Sequence, residues 1–252
     1  MPFTIHRHDT IDSTSSEAAR RVRSGEAVHG EVHAAREQTA GRGRQGRAWH
    51  GAPGEGLMAS VVWLCDAAPG GAAVTMAAGL AVLEGCRDLG LDGARLDWPN
   101  DLVVRDAKLA GILVEALRAP DGRTALVVGV GVNAAQRAFA PELATERAVT
   151  SLALEGVDAT PDDLLDALLP RLERRLTQAV DPRLHERLAR DFAAATGLVG
   201  AAVRARVAER DGEHEHRGAL VGLDLDGGVE LALADGHRRR FALEHVRALD
   251  PA

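Results

Sequence analysis

The sequence predicts an α+β domain followed by a small β-barrel. In the first 195 or so residues, stretches with helical spacing of apolar side chains alternate with short apolar runs typical of buried strands. From Leu198 onward apolar and charged residues alternate, and Asp-Gly turns at positions 211–212, 226–228 and 235–236 recur at hairpin spacing. Short strands joined by tight turns are typical of a small barrel. We therefore predict a mixed-sheet domain over residues 1–197 and a β-barrel over residues 198–252.

The first predicted helix runs from Ser16 to Arg23. Thr14 and Glu17 fit a Thr-x-x-Glu capping box, in which the threonine hydroxyl accepts a hydrogen bond from a backbone N–H at the helix start. We expect Gly25 to end this helix, because glycine readily adopts the left-handed conformation that commonly closes helices.

Four strands and a long helix are predicted in the middle of the chain. The strands cover residues 57–64, 94–98, 112–117 and 126–132, and the helix covers residues 74–89, where small apolar residues allow close packing. Thr160 then caps a helix that has Pro161 in its first position, and Pro170 is expected to kink it. A last helix is expected from Asp181 to about Gly197.

Composition and charge disfavour several functional classes. The chain has 252 residues and a formal net charge of −7, whereas proteins that bind DNA or RNA usually carry a basic excess. Its two cysteines, Cys65 and Cys86, lie far apart, which excludes a disulfide framework and a cysteine-rich zinc site. The ten histidines do not cluster at metal-ligand spacing, and no segment is apolar enough for a signal peptide or a membrane span. We therefore expect a cytoplasmic protein without a resident metal that binds neither DNA nor a membrane.

Residues 38–49 form the most informative segment. Gly41, Gly43 and Gly46 satisfy the pattern GxGxxG, but a dinucleotide-binding fingerprint needs an apolar strand before it and an apolar helix after it, and the sequence has neither. Arginines alternate with these glycines. Glycine lets the backbone approach an anion closely, and arginine supplies forked donors for phosphate or carboxylate. The pattern predicts a loop that binds a triphosphate such as ATP, although a solvated basic loop or one that contacts RNA fits the composition equally well.

A second segment brings polar groups to the end of a strand. Pro99 stops the predicted strand, and Asn100 and Asp101 follow where the chain turns, a common position for site residues and also for an Asx turn. Lys108 stands at the mouth of an apolar strand, with Gly111 leaving room beside it. A lysine there can neutralise a carboxylate and a phosphate that meet, although any strand can begin with a solvated lysine. Lys108 is the only lysine in a chain with 29 arginines, which favours a requirement for a compact ammonium group.

Two glycines, Gly129 and Gly131, interrupt the predicted strand at residues 126–132, and Asn133 follows it. Glycine inside a strand indicates that another group packs closely against the backbone. A bulge in the core would explain the same glycines.

Taken in order, these motifs resemble those of the biotin–protein ligase family. The segments that carry the resemblance are Asp12-Ser13-Thr14-Ser15, residues 38–49, Trp98-Pro99-Asn100-Asp101-Leu102, residues 108–115 and residues 129–133. The resemblance extends over nearly the whole chain, and the arginine-glycine loop is its most specific motif. It implies a catalytic domain related to class II aminoacyl-tRNA synthetases followed by an SH3-like barrel, in agreement with the two patterns described above.

The resemblance also implies roles for individual residues. Biotin would be bound by Ser13, Thr14, Ser15, Gln38 and the backbone near Gly111, with Arg42, Gly43 and Arg44 closing over biotin and the adenylate phosphate. The nucleotide would lie near Trp49, Asn100, Asn133 and Arg247. Lys108 corresponds to the family lysine that contacts both the biotin carboxylate and the α-phosphate.

The chain departs from the family pattern at three positions. Asp97 stands where the family often has lysine, which reverses a charge near the nucleotide; strand alternation places it opposite Trp98, so we expect it to face solvent. Ser15 replaces the usual asparagine, and Gln45 replaces a common arginine. Some members of the family carry an N-terminal DNA-binding domain. Because the motifs here begin by Asp12, we expect a ligase without repressor function.

The activity that the resemblance implies has two half-reactions. The biotin carboxylate attacks the α-phosphate of MgATP, which releases pyrophosphate, and a lysine of a biotin carboxyl carrier protein then attacks biotinyl-5′-AMP, which releases AMP. Lys108, Arg44 and Mg²⁺ would neutralise charge, and Asp101 would orient or deprotonate the acceptor lysine unless it is only an Asx cap. Two alternatives stay open: a lipoate–protein ligase, which performs the same chemistry on another acid, and a non-catalytic module that binds RNA or an acidic partner. The sequence leaves the oligomeric state open.

Overall fold

The larger of two β-sheets has seven strands of mixed direction. In the computed structural model, which describes residues 3–140 and 147–252, these strands are β1 (Thr4–Ile11), β2 (Glu31–Gln38), β3 (Gly56–Cys65), β4 (Ala94–Asp97), β5 (Asp101–Val104), β6 (Ala107–Arg118) and β7 (Thr124–Asn133). Their order across the sheet is β1-β2-β3-β7-β6-β5-β4. The first two strands are parallel, and the other neighbouring pairs are antiparallel. This order places β7, with its two internal glycines, between β3 and β6 near the middle of the sheet.

Helices cover both faces of this sheet. They are α1 (Thr14–Ser24), α2 (Gly71–Asp88), α3 (Pro161–Val180) and α4 (His185–Thr196). Ala18 of α1 belongs to an apolar cluster with Val62 of β3, whereas the neighbouring Val61 belongs to the cluster that contains α2, α3 and α4. Because successive strand residues point to opposite faces, α1 lies on one side of the sheet and the other helices lie on the second side. Burial on both faces explains why β3 has an uninterrupted apolar pattern.

The predicted central elements are confirmed, with shifts at their ends. The helix predicted over residues 74–89 begins three residues earlier, and the strand predicted over residues 112–117 is the second half of the longer β6. Thr160 caps α3 together with Asp163, as a capping box, and α3 continues through Pro170. A single 3₁₀ turn at Pro182–Leu184 precedes α4, which Gly197 ends in the left-handed conformation.

The helix α1 begins at Thr14, two residues before the predicted start at Ser16, and its N-cap lies one residue before the predicted cap. Ser13, not Thr14, is the N-cap, and its Oγ accepts a hydrogen bond from the Ser16 backbone N–H at 3.4 Å. The Thr14 hydroxyl instead donates to Gln38 Oε1 at 3.1 Å. Because this hydroxyl is bonded to a neighbouring strand, the predicted capping box with Glu17 does not form. Gly25 ends the helix with φ at 78°, as predicted.

The sequence patterns predict neither β1 nor β2. No residue of β1 is buried, so the strand lacks the alternation of apolar and polar residues by which a half-buried strand is recognised. β1 has one strand neighbour, β2, and the two are parallel and joined by α1. Only the tertiary pairing identifies these two strands.

The C-terminal region is a five-stranded antiparallel sheet, which confirms the prediction of a small all-β region after the α+β part. Its strands are β8 (Ala202–Glu209), β9 (Gly212–Asp224), β10 (Gly228–Leu233), β11 (Arg238–Phe241) and β12 (Val246–Pro251), in the order β11-β10-β9-β8-β12. The three predicted Asp-Gly turns join consecutive strands of this sheet.

The two regions are in direct contact. Trp98 Nε1 donates a hydrogen bond to the Val246 carbonyl at 2.9 Å, and apolar side chains of both sheets belong to one buried cluster. The boundary between the two predicted domains, at residues 197 and 198, stays a prediction. In the described residues, no helix combines the length and apolar character needed to span a membrane.

Candidate active site

A cavity of about 310 Å³ is lined by residues of β3, β6 and β7, by the arginine-glycine loop and by the C-terminal sheet. Seven cationic side chains line it, Arg42, Arg44, Arg47, Lys108, Arg147, Arg206 and Arg247, against three carboxylates, Asp97, Asp101 and Asp250. The chain as a whole carries a net charge of −7. This local excess of positive charge favours an anionic ligand.

The cavity brings together nearly all of the residues predicted to act on ligands. Those that line it are Ser13, Thr14, Ser15, Gln38, Arg42, Gly43, Arg44, Trp49, Asn100, Asp101, Lys108, Gly111 and Arg247. Among the predicted site residues within the described chain, only Asn133 does not line it. The roles assigned to these residues stay predictions.

Ser13, Thr14, Ser15 and Gln38 form a polar recess of the cavity. The Thr14 backbone N–H donates to Gln38 Oε1 at 2.7 Å. The hydroxyls of Thr14 and Ser15 lie 2.8 and 2.9 Å from the hydroxyl of Ser60, which is fully buried in β3. These bonds fix the orientation of neutral donors and acceptors before a ligand arrives. Ser60 was not predicted as a site residue, although a serine inside an apolar strand is the signal that could have identified it.

The glycines of β6 and β7 make room for the indole of Trp49. A Cβ atom at Gly131 would lie 2.3 Å from Trp49 Cε2, and a Cβ atom at Gly111 would lie 3.1 Å from Trp49 Cζ3. At Gly129 a Cβ atom would lie 2.7 Å from Ser15 Oγ. Neither pairing of β7 with its neighbours has a register shift in the described strands, so close packing rather than a bulge explains these glycines.

Positions along β7 set the order of the groups in the cavity wall. Gly129 and Gly131 are two residues apart, roughly 7 Å along a strand, so the polar recess and the indole are neighbours along β7. Lys108 Nζ lies 5.7 Å from the centre of the Trp49 ring. The indole thus lies between the hydroxyl groups of the recess and the ammonium group of Lys108.

The arginine-glycine loop is a small hairpin with a 3₁₀ turn at Arg44–Gly46. The Gly43 N–H donates to the Arg47 carbonyl at 2.7 Å, and the Trp49 N–H donates to the Gly41 carbonyl at 3.0 Å. A Cβ atom at Gly41 would lie 2.3 Å from the Trp49 carbonyl oxygen, which explains the glycine at that position. These backbone bonds hold the loop beside the cavity.

Two loop arginines are held by side chains of the large sheet and its connections. Arg44 Nη1 donates to Asn100 Oδ1 at 2.8 Å, and Arg42 forms an ion pair with Glu115. Asn100 in turn donates from Nδ2 to the Ile112 carbonyl at 3.0 Å. Burial lowers the pKa of the Arg44 guanidinium, which still remains charged at neutral pH.

Lys108 and Asp101 form an ion pair inside the cavity. The Nζ and Oδ2 atoms are 2.9 Å apart, and the side chains are 28% and 17% exposed. Asp101 Oδ1 is buried and lacks a hydrogen-bond partner within residues 3–140 and 147–252. An unpartnered buried carboxylate oxygen in a cavity wall is available to a ligand. The same contacts argue against a purely structural Asx cap, because they include no backbone N–H.

Asp97 is buried, which corrects the prediction that it faces solvent. It is 9% exposed; its Oδ1 accepts from Arg95 Nη1 at 2.9 Å, and its Oδ2 accepts from Arg147 Nη1 at 2.8 Å. Strand alternation predicts an exposed side chain only where nothing packs on that face, and here the segment formed by Arg147 and the residues after it packs beside Asp97. That segment pairs with the backbone of Lys108, whose N–H donates to the Ala148 carbonyl at 2.7 Å. The sequence carries no local signal for Arg147, because its partners are distant in the chain.

Of two residues predicted to bind the nucleotide, Asn133 lies outside the cavity wall and Arg247 lines it. Asn133 is 5% exposed, and its Nδ2 donates to the Thr150 carbonyl at 2.9 Å, outside the cavity wall. Arg247 Nη1 donates to the Glu244 carbonyl at 3.1 Å. Arg247 and Arg44 line both the cavity and a neighbouring groove of about 700 Å³, which lies between the loop, the start of α2 and the C-terminal sheet.

A group of possible metal ligands lies away from the cavity, at the turn between β8 and β9. One ligand atom each from Glu209, Asp211 and His214 lies within 4.8 Å of the others. These groups already have partners, because His214 pairs with Asp211 and Glu209 pairs with Arg239. The arrangement is an exposed hydrogen-bonded turn.

The comparisons with known proteins identify the family of the chain. The model of the biotin/lipoate A/B protein ligase family matches residues 8–133. The chain is 36% identical over 233 residues to a biotin–[acetyl-CoA-carboxylase] ligase of Mycobacterium tuberculosis, covering 90% of this chain and 81% of that protein. It is 35% identical over 167 residues to the bifunctional ligase/repressor BirA of Escherichia coli, covering 66% of this chain and 51% of that protein.

Solved structures give the same result for the fold. The biotin protein ligase of Aquifex aeolicus in complex with biotin and ATP matches with a TM-score of 0.77 and 26% identity, covering 98% of this chain and 99% of that one. The chain spans about half the length, or less, of the BirA relatives it matches. The α+β fold with a C-terminal β region and the family resemblance are both confirmed.

Proposed function

This chain belongs to the biotin/lipoate A/B protein ligase family, and we propose that it activates biotin with ATP as biotinyl-5′-AMP and transfers the biotinyl group to a lysine of a biotin carboxyl carrier protein. The observation that carries the proposal is the succession of environments in one cavity: a neutral polar recess, apolar side chains such as Met58 and Leu113, and a group of cations. Biotin has a matching succession of a ureido ring, an apolar chain and a carboxylate.

The polar recess supports biotin over lipoate. A ureido ring has a carbonyl acceptor and two N–H donors, which match the hydroxyls of Ser13, Thr14 and Ser15 and the amide of Gln38. The dithiolane ring of lipoate would use none of these groups. The apolar walls beside the recess include Met58 and Leu113, which suit an alkyl chain.

The cations of the cavity suit the first half-reaction. One oxygen of the biotin carboxylate forms a bond to the α-phosphorus, and the bond from that phosphorus to pyrophosphate breaks with its electron pair on the leaving group. Two anions must approach for this step, so the ammonium of Lys108 and the guanidinium of Arg44 hold them together and stabilise the charge that develops. Arg42 and Gly43 close the loop over the reacting groups and exclude water from the anhydride.

The remaining predicted residues serve the nucleotide. Trp49 packs near the adenine, with Asn100 and Arg247 at the cavity wall. Asn133 supports the site indirectly. Its amide donates to the Thr150 carbonyl, and Thr150 belongs to the segment that pairs with the backbone of Lys108.

Mg²⁺ is expected to accompany ATP. It prefers oxygen ligands and usually keeps several waters beside one or two carboxylates and the substrate phosphates. Asp101 fits this requirement, since its Oδ1 has no hydrogen-bond partner in the described part of the chain. Bound there, the ion would neutralise phosphate charge.

Asp101 also serves the second half-reaction. After pyrophosphate has left, its Oδ1 is available to orient the acceptor lysine and to receive the proton that the amine loses on attacking the anhydride. The bond from the biotinyl carbonyl to AMP then breaks. The mycobacterial relative is a biotin–[acetyl-CoA-carboxylase] ligase, which supports a carboxylase carrier as the acceptor, and we expect the reaction to take place in the cytoplasm.

Mass spectrometry of the carrier tests the proposed function directly. The purified protein is mixed with biotin, MgATP and a carrier domain, and we expect the carrier to gain one biotinyl group. Controls lack ATP, contain lipoate in place of biotin, or use a carrier whose acceptor lysine is replaced by arginine. A lipoylated carrier would select the alternative acid, and an unmodified carrier without biotin-dependent ATP–pyrophosphate exchange would favour a non-catalytic module.

A further inference from the structure

We propose that Arg147 is a phosphate-binding residue of the first half-reaction and that Asp97 positions it. This inference rests on the proposed function, because it assigns a further residue to the same cavity. Neither residue follows from the sequence motifs: Arg147 lies outside all of them, and Asp97 was expected to face solvent.

The backbone around Arg147 is tied to Lys108. The Lys108 N–H donates to the Ala148 carbonyl at 2.7 Å, and the Thr150 N–H donates to the Lys108 carbonyl at 2.9 Å. These bonds form a short parallel bridge between Lys108 and Val149. The position of Arg147 is therefore fixed relative to Lys108, the residue expected to hold the α-phosphate.

The side chains of Arg147 and Lys108 converge on one carboxylate oxygen. Lys108 Nζ lies 2.9 Å from Asp101 Oδ2, and Arg147 Nη1 lies 3.7 Å from the same atom. Both side chains line the cavity, and that of Arg147 is 33% exposed, so it is accessible to a ligand there. Asp97 and Asp101 balance these two cations, but five further arginines line the cavity against one further carboxylate, and this excess of positive charge favours a further anion.

Two hydrogen bonds orient the Arg147 guanidinium. Its Nη1 donates to Asp97 Oδ2 at 2.8 Å, and its Nε donates to the Asp106 carbonyl at 3.1 Å. A guanidinium has five N–H donors, so these two bonds do not exhaust its capacity for phosphate oxygens. The other oxygen of Asp97 is bonded to Arg95, which keeps the carboxylate itself in place. Asp97 is thus a positioning residue.

The position of Arg147 suits the charge that develops on the pyrophosphate leaving group. When the bond between the α-phosphorus and pyrophosphate breaks, an electron pair and a negative charge pass to pyrophosphate. A preoriented guanidinium beside Lys108 stabilises that charge without having to reorganise. Arg147 therefore contributes to adenylation, and it has no part in the transfer from the finished adenylate to the acceptor lysine.

Separate assays of the two half-reactions test this assignment. We expect Arg147→Ala to lower kcat/KM for ATP by about 10²-fold in biotin-dependent ATP–pyrophosphate exchange. Biotin binding without ATP and transfer from supplied biotinyl-5′-AMP should stay within twofold of the unmodified protein. The Tm should fall, because the buried Asp97 keeps only Arg95 as a partner. Arg147→Lys should retain part of the exchange activity. Arg171→Ala is the matched control, because Arg171 forms a similar ion pair with Asp88 outside the cavity.

A double-mutant cycle tests the role of Asp97. Asp97→Asn alone should lower exchange about tenfold, and it should cause no further loss in the Arg147→Ala background, because it acts through Arg147. Equal losses in both half-reactions, additive effects, or normal exchange by Arg147→Ala would overturn the assignment. Failure of the unmodified protein to exchange pyrophosphate would instead contradict the proposed function, so the two failures are distinguishable.

Discussion

Two clusters of charged side chains lie at the large sheet, and they differ in their use of hydrogen bonds. One is the cavity cluster of Asp101, Lys108, Arg147 and Asp97. The other, the edge cluster, consists of His6, His8, Arg21, Glu31 and His33 on β1, α1 and β2. Both combine buried carboxylates with cationic or titratable partners.

The edge cluster satisfies its own carboxylate. Glu31 is fully buried; Oε1 accepts from Arg21 and lies 2.9 Å from His33 Nε2, and Oε2 accepts from the Val28 N–H at 3.0 Å. Although burial opposes it, the hydrogen bonds from Val28 and Arg21 hold the pKa of Glu31 below its usual value. His8 Nε2 lies 3.1 Å from His33 Nδ1.

The cavity cluster leaves capacity for a ligand. In the described chain, Asp101 Oδ1 has no partner, while both carboxylate oxygens of Glu31 have one. A buried charge cluster therefore indicates a site when it lines a cavity and keeps an unused donor or acceptor, and it indicates structural support when every group is paired. Substitutions in the two clusters should separate activity from stability.

The largest effect is expected from Lys108→Ala in the cavity cluster. Removal of one preorganised donor for the developing charge should lower biotin-dependent ATP–pyrophosphate exchange by about 10²- to 10³-fold. The Tm should change little, because Arg147 stays close to Asp101. Lys108→Arg, which keeps the charge but not its compact shape, should recover part of the activity. An unchanged exchange rate in Lys108→Ala would contradict the role of the cavity cluster.

A smaller effect, on stability rather than on activity, is expected from Glu31→Ala in the edge cluster. The substitution leaves Arg21, His33 and the Val28 N–H without their acceptor, so the free energy of unfolding should fall by about 1–3 kcal/mol. Chemical denaturation measures this loss, and exchange activity at low temperature should stay normal. Glu215→Ala, at an exposed ion pair with Arg217, serves as control and should leave stability nearly unchanged. Lost activity with normal stability would refute the comparison.

The smallest effect is a pH dependence of stability from the edge cluster. Burial lowers the pKa of His33 below its ordinary 6.5, so the unfolded chain binds a proton there more readily than the folded one. His33 therefore makes the free energy of unfolding fall as the pH drops below about 6.5, by less than about 1.4 kcal/mol per pH unit. Denaturation curves of His33→Gln between about pH 7.5 and 5.5 should show a shallower fall. Equal slopes in the variant and the unmodified protein would assign the pH dependence to other groups.

Local sequence patterns were sufficient for elements whose deciding residues lie close together in the chain. The apolar run of β3, the capping box of α3 and the Asp-Gly turns of the C-terminal sheet each follow from residues adjacent in sequence. The polar edge strand β1 and the buried Asp97 were missed or misplaced, because in both cases the deciding partner lies far away in the chain.

By itself, the sequence determined the α+β architecture, the family and the chemical types of the site residues, because periodicity, turn residues and motif spacing are encoded over short distances. Only the tertiary structure decided that Ser60 supports the polar recess, that Trp49 lies on the glycines of β6 and β7, and that Arg147 meets Lys108 at Asp101. The physical reason is that burial and electrostatic pairing depend on which surfaces the fold brings into contact, and no local pattern specifies those contacts.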